Sequence, residues 1–152
     1  MRDAIVMVVD DNRDDVELTV RALNRAGVHN EMIEVVRSGR LACDYLFAQG
    51  RYAGRNTAQQ PRLILLDARM ADMDGVHVLH RLRVDERTCT VPVVMLTASS
   101  NPRDVPDTYR SGANSYIRKP LDFGEFNEMV NRLVAYWLRL NVVSADEHLR
   151  AK

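Results

Sequence analysis

The sequence predicts an α/β fold, a doubly wound parallel sheet with helices on both faces. Two observations carry this. Short apolar, β-branched runs alternate five times with longer stretches of helical periodicity, the pattern of a parallel sheet with crossover helices. The runs are continuously apolar, as strands buried on both faces are. At 152 residues the chain suits one domain, which typically has ~100–150.

The elements follow in order. Ala4-Ile5-Val6-Met7-Val8-Val9 reads as the first strand. A helix is expected over 14–26, with Val16, Val20 and Leu23 on one face and Gly27 closing it. Residues 32–36 form a second strand, and 41–49 a helix carrying Leu41, Tyr45 and Leu46. Leu63-Ile64-Leu65-Leu66 is a third strand ending in Asp67, followed by a helix over 76–83 with Val76, Leu79 and Leu82 on one face. The fourth strand covers 92–96, with Pro92 at its start, where a missing N–H costs little. A helix over 104–111 is closed by Gly112, and Pro106 fits only in its first turn. Ser115-Tyr116-Ile117 is a short fifth strand. A long helix over 123–140 carries Phe126, Val130, Leu133, Trp137 and Leu140. Residues 50–61 form the one long loop, polar and glycine-containing, of a length uncommon unless functional or mobile. The domain is expected over 1–143, with 144–152 a polar tail that frays.

Composition removes several function classes. Lys plus Arg is 21 and Asp plus Glu is 21, so there is no electrostatic case for nucleic acid or an anionic membrane. The hydrophobic share of 46% argues against disorder. No apolar run approaches the ~18 residues of a membrane span, and the first run is too short for a signal peptide. Cys43 and Cys89 are the two cysteines, too few for a disulfide framework or a cysteine-based zinc site. A cytoplasmic, reduced location is expected.

In such folds ligands bind beyond the carboxyl ends of the strands. The residues there are Asp10-Asp11, Asp67, Thr97 and Lys119. Three carboxylates in a small space repel one another unless a cation neutralises them, and oxygen ligands of this kind suit Mg²⁺. A hydroxyl and an ammonium beside them would receive the oxygens of a phosphoryl group. The set therefore reads as a phosphoryl site with Asp67 as nucleophile. Each member alone has a blander explanation, since aspartates at strand ends often cap helices or begin turns. Asp14, Asp15 and Asp72 are assigned to caps, and Asp74-Gly75 to a turn that starts a helix. For four members at four strand ends the functional reading is the stronger.

These residues resemble the receiver domains of two-component response regulators. The resemblance is carried by Val8-Val9-Asp10-Asp11-Asn12, Leu65-Leu66-Asp67-Ala68-Arg69-Met70 with Asp74-Gly75, Thr97-Ala98, and Gly112-Ala113-Asn114-Ser115-Tyr116-Ile117-Arg118-Lys119-Pro120. Thr97 follows Asp67 by 30 residues and Lys119 follows Thr97 by 22, the family's usual spacing. The likeness runs from residue 4 to about residue 140. It implies a flavodoxin-like (βα)5 sheet of order 2-1-3-4-5. It implies Asp67 as phosphoacceptor; Asp11, Asp67 and the backbone carbonyl of Arg69 as Mg²⁺ ligands; and Asp10 holding the metal through water. Thr97 and Lys119 would contact the phosphoryl group, Tyr116 would be the aromatic switch, and the Lys119-Pro120 bond would be cis. The chain would be a phosphoacceptor rather than an enzyme, with self-catalysed phosphotransfer and slow autodephosphorylation.

Two residues draw attention against that pattern. Ala71 stands where the family usually has proline, which predicts a looser loop after Asp67. Arg69 places a cation at the rim, where attacking water would pass, with Ser99 facing the same rim.

The loop over 50–61, His29-Asn30-Glu31, Thr97-Ala98-Ser99-Ser100 and Tyr136-Trp137-Leu138 resemble stand-alone regulators paired with bacterial phytochrome histidine kinases. That implies a sensor histidine kinase of the bacteriophytochrome type as partner. Output would be through protein–protein contact. The apolar stripe running past Trp137 to Leu140, Val142 and Val143 suggests a homodimer through the last helix and fifth strand.

Other chemistries fit less well. A haloacid-dehalogenase-type phosphatase needs an acid two residues after its nucleophile, where this chain has Arg69. Asp10-Asp11 would repel the phosphate of a flavin nucleotide. The Gly-x-x-x-x-Gly-Lys-Ser/Thr loop of a nucleotide hydrolase is absent. A phosphorylation-independent interaction module stays open and would ignore acetyl phosphate and Mg²⁺.

Overall fold

A computed structural model describes residues 4–98 and 104–144. The sheet is formed by β1 (Val6–Val9), β2 (Ile33–Val36), β3 (Leu63–Asp67), β4 (Val93–Thr97) and β5 (Ser115–Arg118). All neighbours are parallel, in the order β2-β1-β3-β4-β5. The expected order is thus borne out. The helices are α1 (Arg13–Arg25), α2 (Gly39–Leu46), α3 (Gly75–Val84), α4 (Asp104–Arg110) and α5 (Phe123–Val134).

The three inner strands are buried along their whole length, and the edge strands β2 and β5 are mostly half-buried. Strand periodicity sends alternate residues to opposite faces. Met7, Val9, Ile64, Leu66, Val93 and Met95 pack with Cys43, Leu46, Val78, Leu79 and Leu82 from α2 and α3. Val6, Val8, Leu63, Leu65, Val94 and Leu96 pack with Leu23, Phe126, Val130 and Leu133 from α1 and α5. Each inner strand therefore serves two cores, which is why its sequence lacks polar alternation. The crossovers leave β1 in opposite directions to β2 and β3, so the carboxyl ends of β1 and β3 flank the crevice where such folds bind ligands.

Local contacts move several boundaries. Helix α2 begins two residues before the expected start. Ser38 Oγ accepts from Leu41 N at 3.0 Å, and Asp72 accepts from Gly39 N and Arg40 N at 3.0 Å each. Asp72 thus caps a helix remote in sequence. The last helix is not uniform: α5 ends at Val134 and Ala135–Leu140 continue as π-helix. There Arg139 Nη2 reaches back to the Ala26 carbonyl at the end of α1, 2.9 Å away, and Trp137 packs against the α1/α5 core.

The long loop is tied to the core. Its first turn, Gly50–Tyr52, is a 3₁₀ helix that buries Tyr52, whose hydroxyl donates to Glu34 Oε1 at 3.0 Å. Arg55 is buried, stacked 3.7 Å above the Tyr45 ring, and donates to the carbonyls of Tyr45 and Gln59. Ser99 and Ser100 and residues 145–152 lie outside the described residues. Among those described, no helix is long and apolar enough to cross a membrane.

Candidate phosphoryl-acceptor site

The strand ends deliver their side chains to one edge of the sheet. Asp10 follows β1 and is buried. Its Oδ1 accepts from Asn12 N at 2.9 Å and its Oδ2 from Lys119 Nζ at 2.8 Å. Asp11 is half-buried and turns the other way, its Oδ2 accepting from Ala71 N at 2.8 Å. Its carbonyl accepts from Arg37 Nη2 at 3.1 Å, at the end of β2. Asn12 caps α1 by accepting from Asp15 N at 3.1 Å.

Asp67 closes β3 and is 9% exposed. Its Oδ1 lies 3.8 Å from Lys119 Nζ and 3.5 Å from Arg69 N. Close contacts fix the turn behind it. Ala68 N donates to Leu96 O at 3.0 Å, and Gly75 N donates to Ala68 O at 2.9 Å. Only glycine fits at 75, since a Cβ there would stand 2.4 Å from the Asp67 carbonyl oxygen.

Thr97 ends β4, buried, one step beyond Leu96, the register partner of Asp67. Its carbonyl accepts from Lys119 N at 2.7 Å, which joins the ends of β4 and β5. Lys119 is nearly buried, and its ammonium meets Asp10, Asp15 and Asp67 together.

Electrostatics follow from this crowding. Burial pushes the Asp67 carboxyl up to about 7; Lys119 opposes the rise and the charge of Asp10 adds to it. Burial alone would lower the Lys119 ammonium, but hydrogen bonding to Asp10 and the surrounding carboxylates raise it. The carboxylates of Asp10, Asp11 and Asp67 each offer an oxygen within 4.8 Å of the others. One ammonium does not neutralise three carboxylates with Asp15 besides. That deficit of positive charge, with an all-oxygen donor set, fits a hard divalent cation.

The geometry corrects several sequence expectations. Asp15 is more than a cap residue: its Oδ2 accepts from Lys119 Nζ at 2.9 Å. Its place in the first turn of α1, four residues after Asp11, was the available signal. Ala71 brings to the loop after Asp67 an N–H that proline would lack, and it is bonded to Asp11. The Lys119-Pro120 bond is trans, as no cis peptide occurs among the described residues. Trans is the intrinsically preferred isomer, and Lys119 reaches its three carboxylates with it. Tyr116 sits on β5, half-buried, beside the α2/α3 core. Its hydroxyl is buried without a hydrogen-bond partner among the described residues, and its N–H donates to the Tyr109 hydroxyl at 3.2 Å. The Arg69 side chain is exposed.

Comparison with known proteins agrees with this arrangement. The family described as Response regulator receiver domain matches residues 6–131. The probable methanogenesis regulatory protein FilR2 of Methanothrix harundinacea is 38% identical over 138 residues, covering 90% of this chain and 85% of that protein. The response regulator Rcp1 of Synechocystis is 31% identical, covering 88% of each. The Mn²⁺-bound form of Rcp1 superposes with a TM-score of 0.79 at 28% identity, covering 92% of this chain and 98% of that one. The phosphorylated cyanobacterial phytochrome response regulator RcpA superposes with a TM-score of 0.83 at 32% identity, covering 91% and 96%. With this sheet order, this strand-end acid cluster and a family match over most of its length, the chain belongs to the response regulator receiver domains.

Proposed function

We propose that the chain accepts a phosphoryl group on Asp67 from a phosphohistidine of a sensor histidine kinase, in Mg²⁺-dependent two-component signalling in the cytoplasm. Receiver domains are phosphoacceptors that work with such kinases, and they hold Mg²⁺ or Mn²⁺ at an acidic cluster. One observation carries the assignment to Asp67: its buried carboxylate shares the cluster with Asp10 and Asp11, an oxygen of each within 4.8 Å, and lies 3.8 Å from the Lys119 ammonium. In the transfer, an Asp67 oxygen bonds to phosphorus as the phosphorus–nitrogen bond breaks, and the electron pair leaves with the imidazole. Asp11, Asp67 and the Arg69 carbonyl would hold the metal directly, and Asp10 through water. Bound Mg²⁺ supplies screening of the charge on the carboxylates and the phosphoryl oxygens. Lys119 would donate to a phosphoryl oxygen, and Thr97 would follow it with its hydroxyl. The inward Tyr116 ring would stabilise that displaced position of Thr97, shifting the population of the α4, β5 and α5 surface.

The partner is read as a phytochrome-type kinase, in bacteria a bacteriophytochrome, supported by the likeness to RcpA. The receiver unit is read over 1–143, with 144–152 as a tail, and output as protein–protein contact, including a homodimer through the last helix and β5. The decisive experiment is mass spectrometry after acetyl phosphate and Mg²⁺. One phosphoryl adduct on the wild type and none on Asp67→Asn is expected. An adduct that persists on the variant would remove Asp67 from the role, and an unlabelled wild type would leave an interaction module.

A further inference from the structure

We infer that the main-chain N–H of Ala71 is a positioning group for the metal site, presetting the Asp11 carboxylate before a cation arrives. This rests on reading Asp11 and Asp67 as metal ligands. Ala71 N donates to Asp11 Oδ2 at 2.8 Å across 60 residues of sequence, while Arg37 Nη2 holds the Asp11 carbonyl at 3.1 Å. Asp11 is therefore held at both its main chain and its side chain.

The significance lies in where Ala71 sits. It is four residues beyond Asp67 on the same β3–α3 loop, and that loop is fastened at Ala68 to Leu96 and Gly75. One hydrogen bond from Ala71 thus closes a short ring that contains both Asp67 and Asp11 and sets their separation. Without a cation, like charges on β1 and β3 push the two loops apart. The amide is an attractive contact between them, to a charged acceptor and hence stronger than a neutral pair. A carboxylate has about four acceptor sites, so the amide takes one on Oδ2 and leaves the others for a cation. Groups that orient a metal-ligating carboxylate typically change metal affinity ~10–100-fold.

Proline at 71 deletes the N–H and glycine keeps it, so the pair separates the amide from the side chain. Calorimetric titration with Mg²⁺ should show Ala71→Pro weaker by about tenfold or more, and Ala71→Gly within about threefold of wild type, with similar metal-free melting temperatures for both. Equal Mg²⁺ affinity in wild type and Ala71→Pro overturns the inference alone; a wild type that binds no Mg²⁺ overturns the metal reading as well. The wild type gives a second measurement, independent of whether the proline variant folds. Ala71 is exposed, so its amide would exchange freely with water if unbonded. Amide exchange by NMR should show it protected, metal-free and Mg²⁺-saturated, and deprotected by Asp11→Ala, which removes the acceptor. Free exchange in the metal-free wild type overturns the inference.

Discussion

Asp67 combines two demands that pull its ionisation in opposite directions. Burial and the charge of Asp10 push its carboxyl up to about 7 without metal, yet a nucleophile and metal ligand must be ionised. Below that point each unit of pH should weaken Mg²⁺ binding about tenfold, one proton being released per ion bound. Calorimetry from pH 8 downward checks this. The stability consequence has a definite sign. An acid whose pKa is higher folded than unfolded stabilises the fold fully at low pH, and loses that contribution as pH rises through the folded value. Metal-free Asp67→Asn should therefore melt above wild type at pH 8, with the gap closing toward pH 4; a constant gap would contradict the charge effect. Asp10, Asp11, Asp67, Thr97 and Lys119 were legible in the sequence because each stands at a strand end. Asp15 was not, since a helix start already accounts for an aspartate, and its bond to Lys119 spans 104 residues. The Ala71 donor was invisible for another reason: main-chain amides carry no residue signature.

At the scale of elements, the β3–α3 junction sets the tolerance of the site. Gly75 opens α3, where alanine would ordinarily gain about 1 kcal/mol of helix propensity. Its Cβ would instead stand 2.4 Å from the Asp67 carbonyl and 2.8 Å from Met95 Cε. Overpacking of this kind costs roughly 1–3 kcal/mol, so the steric term wins. Gly75→Ala should lower stability in urea and slow labelling by acetyl phosphate; a stabilised variant would show the junction to be pliant. All five strands and five helices were legible in the hydrophobic period. Their edges were less so, because edges depend on caps from afar, such as Asp72 on α2. The loop over 50–61 read as functional or mobile because a polar sequence hides its buried anchors, Tyr52 and Arg55, the second a residue type normally exposed.

For the molecule as a whole, parallel topology separates the acidic cluster at the carboxyl ends of the strands from the connections at their amino ends. The proposed homodimer surface runs along Ala135–Leu140 and just past it, where Tyr136, Leu140 and Val142 are 50%, 73% and 43% exposed. Light scattering should report a dimer for the wild type and a monomer for Leu140→Glu, with labelling of Asp67 retained. A wild type that stays monomeric at high concentration, phosphorylated and not, would end that proposal. The anchored insertion has a practical corollary. At Gly54 an added Cβ would meet nothing within 4 Å, and the segment joins α2 to the amino end of β3, opposite the acids. A fluorophore attached through Gly54→Cys, with the exposed Cys89 changed to serine, would ride on a rigid mount and report docking of a kinase by energy transfer without touching the chemistry.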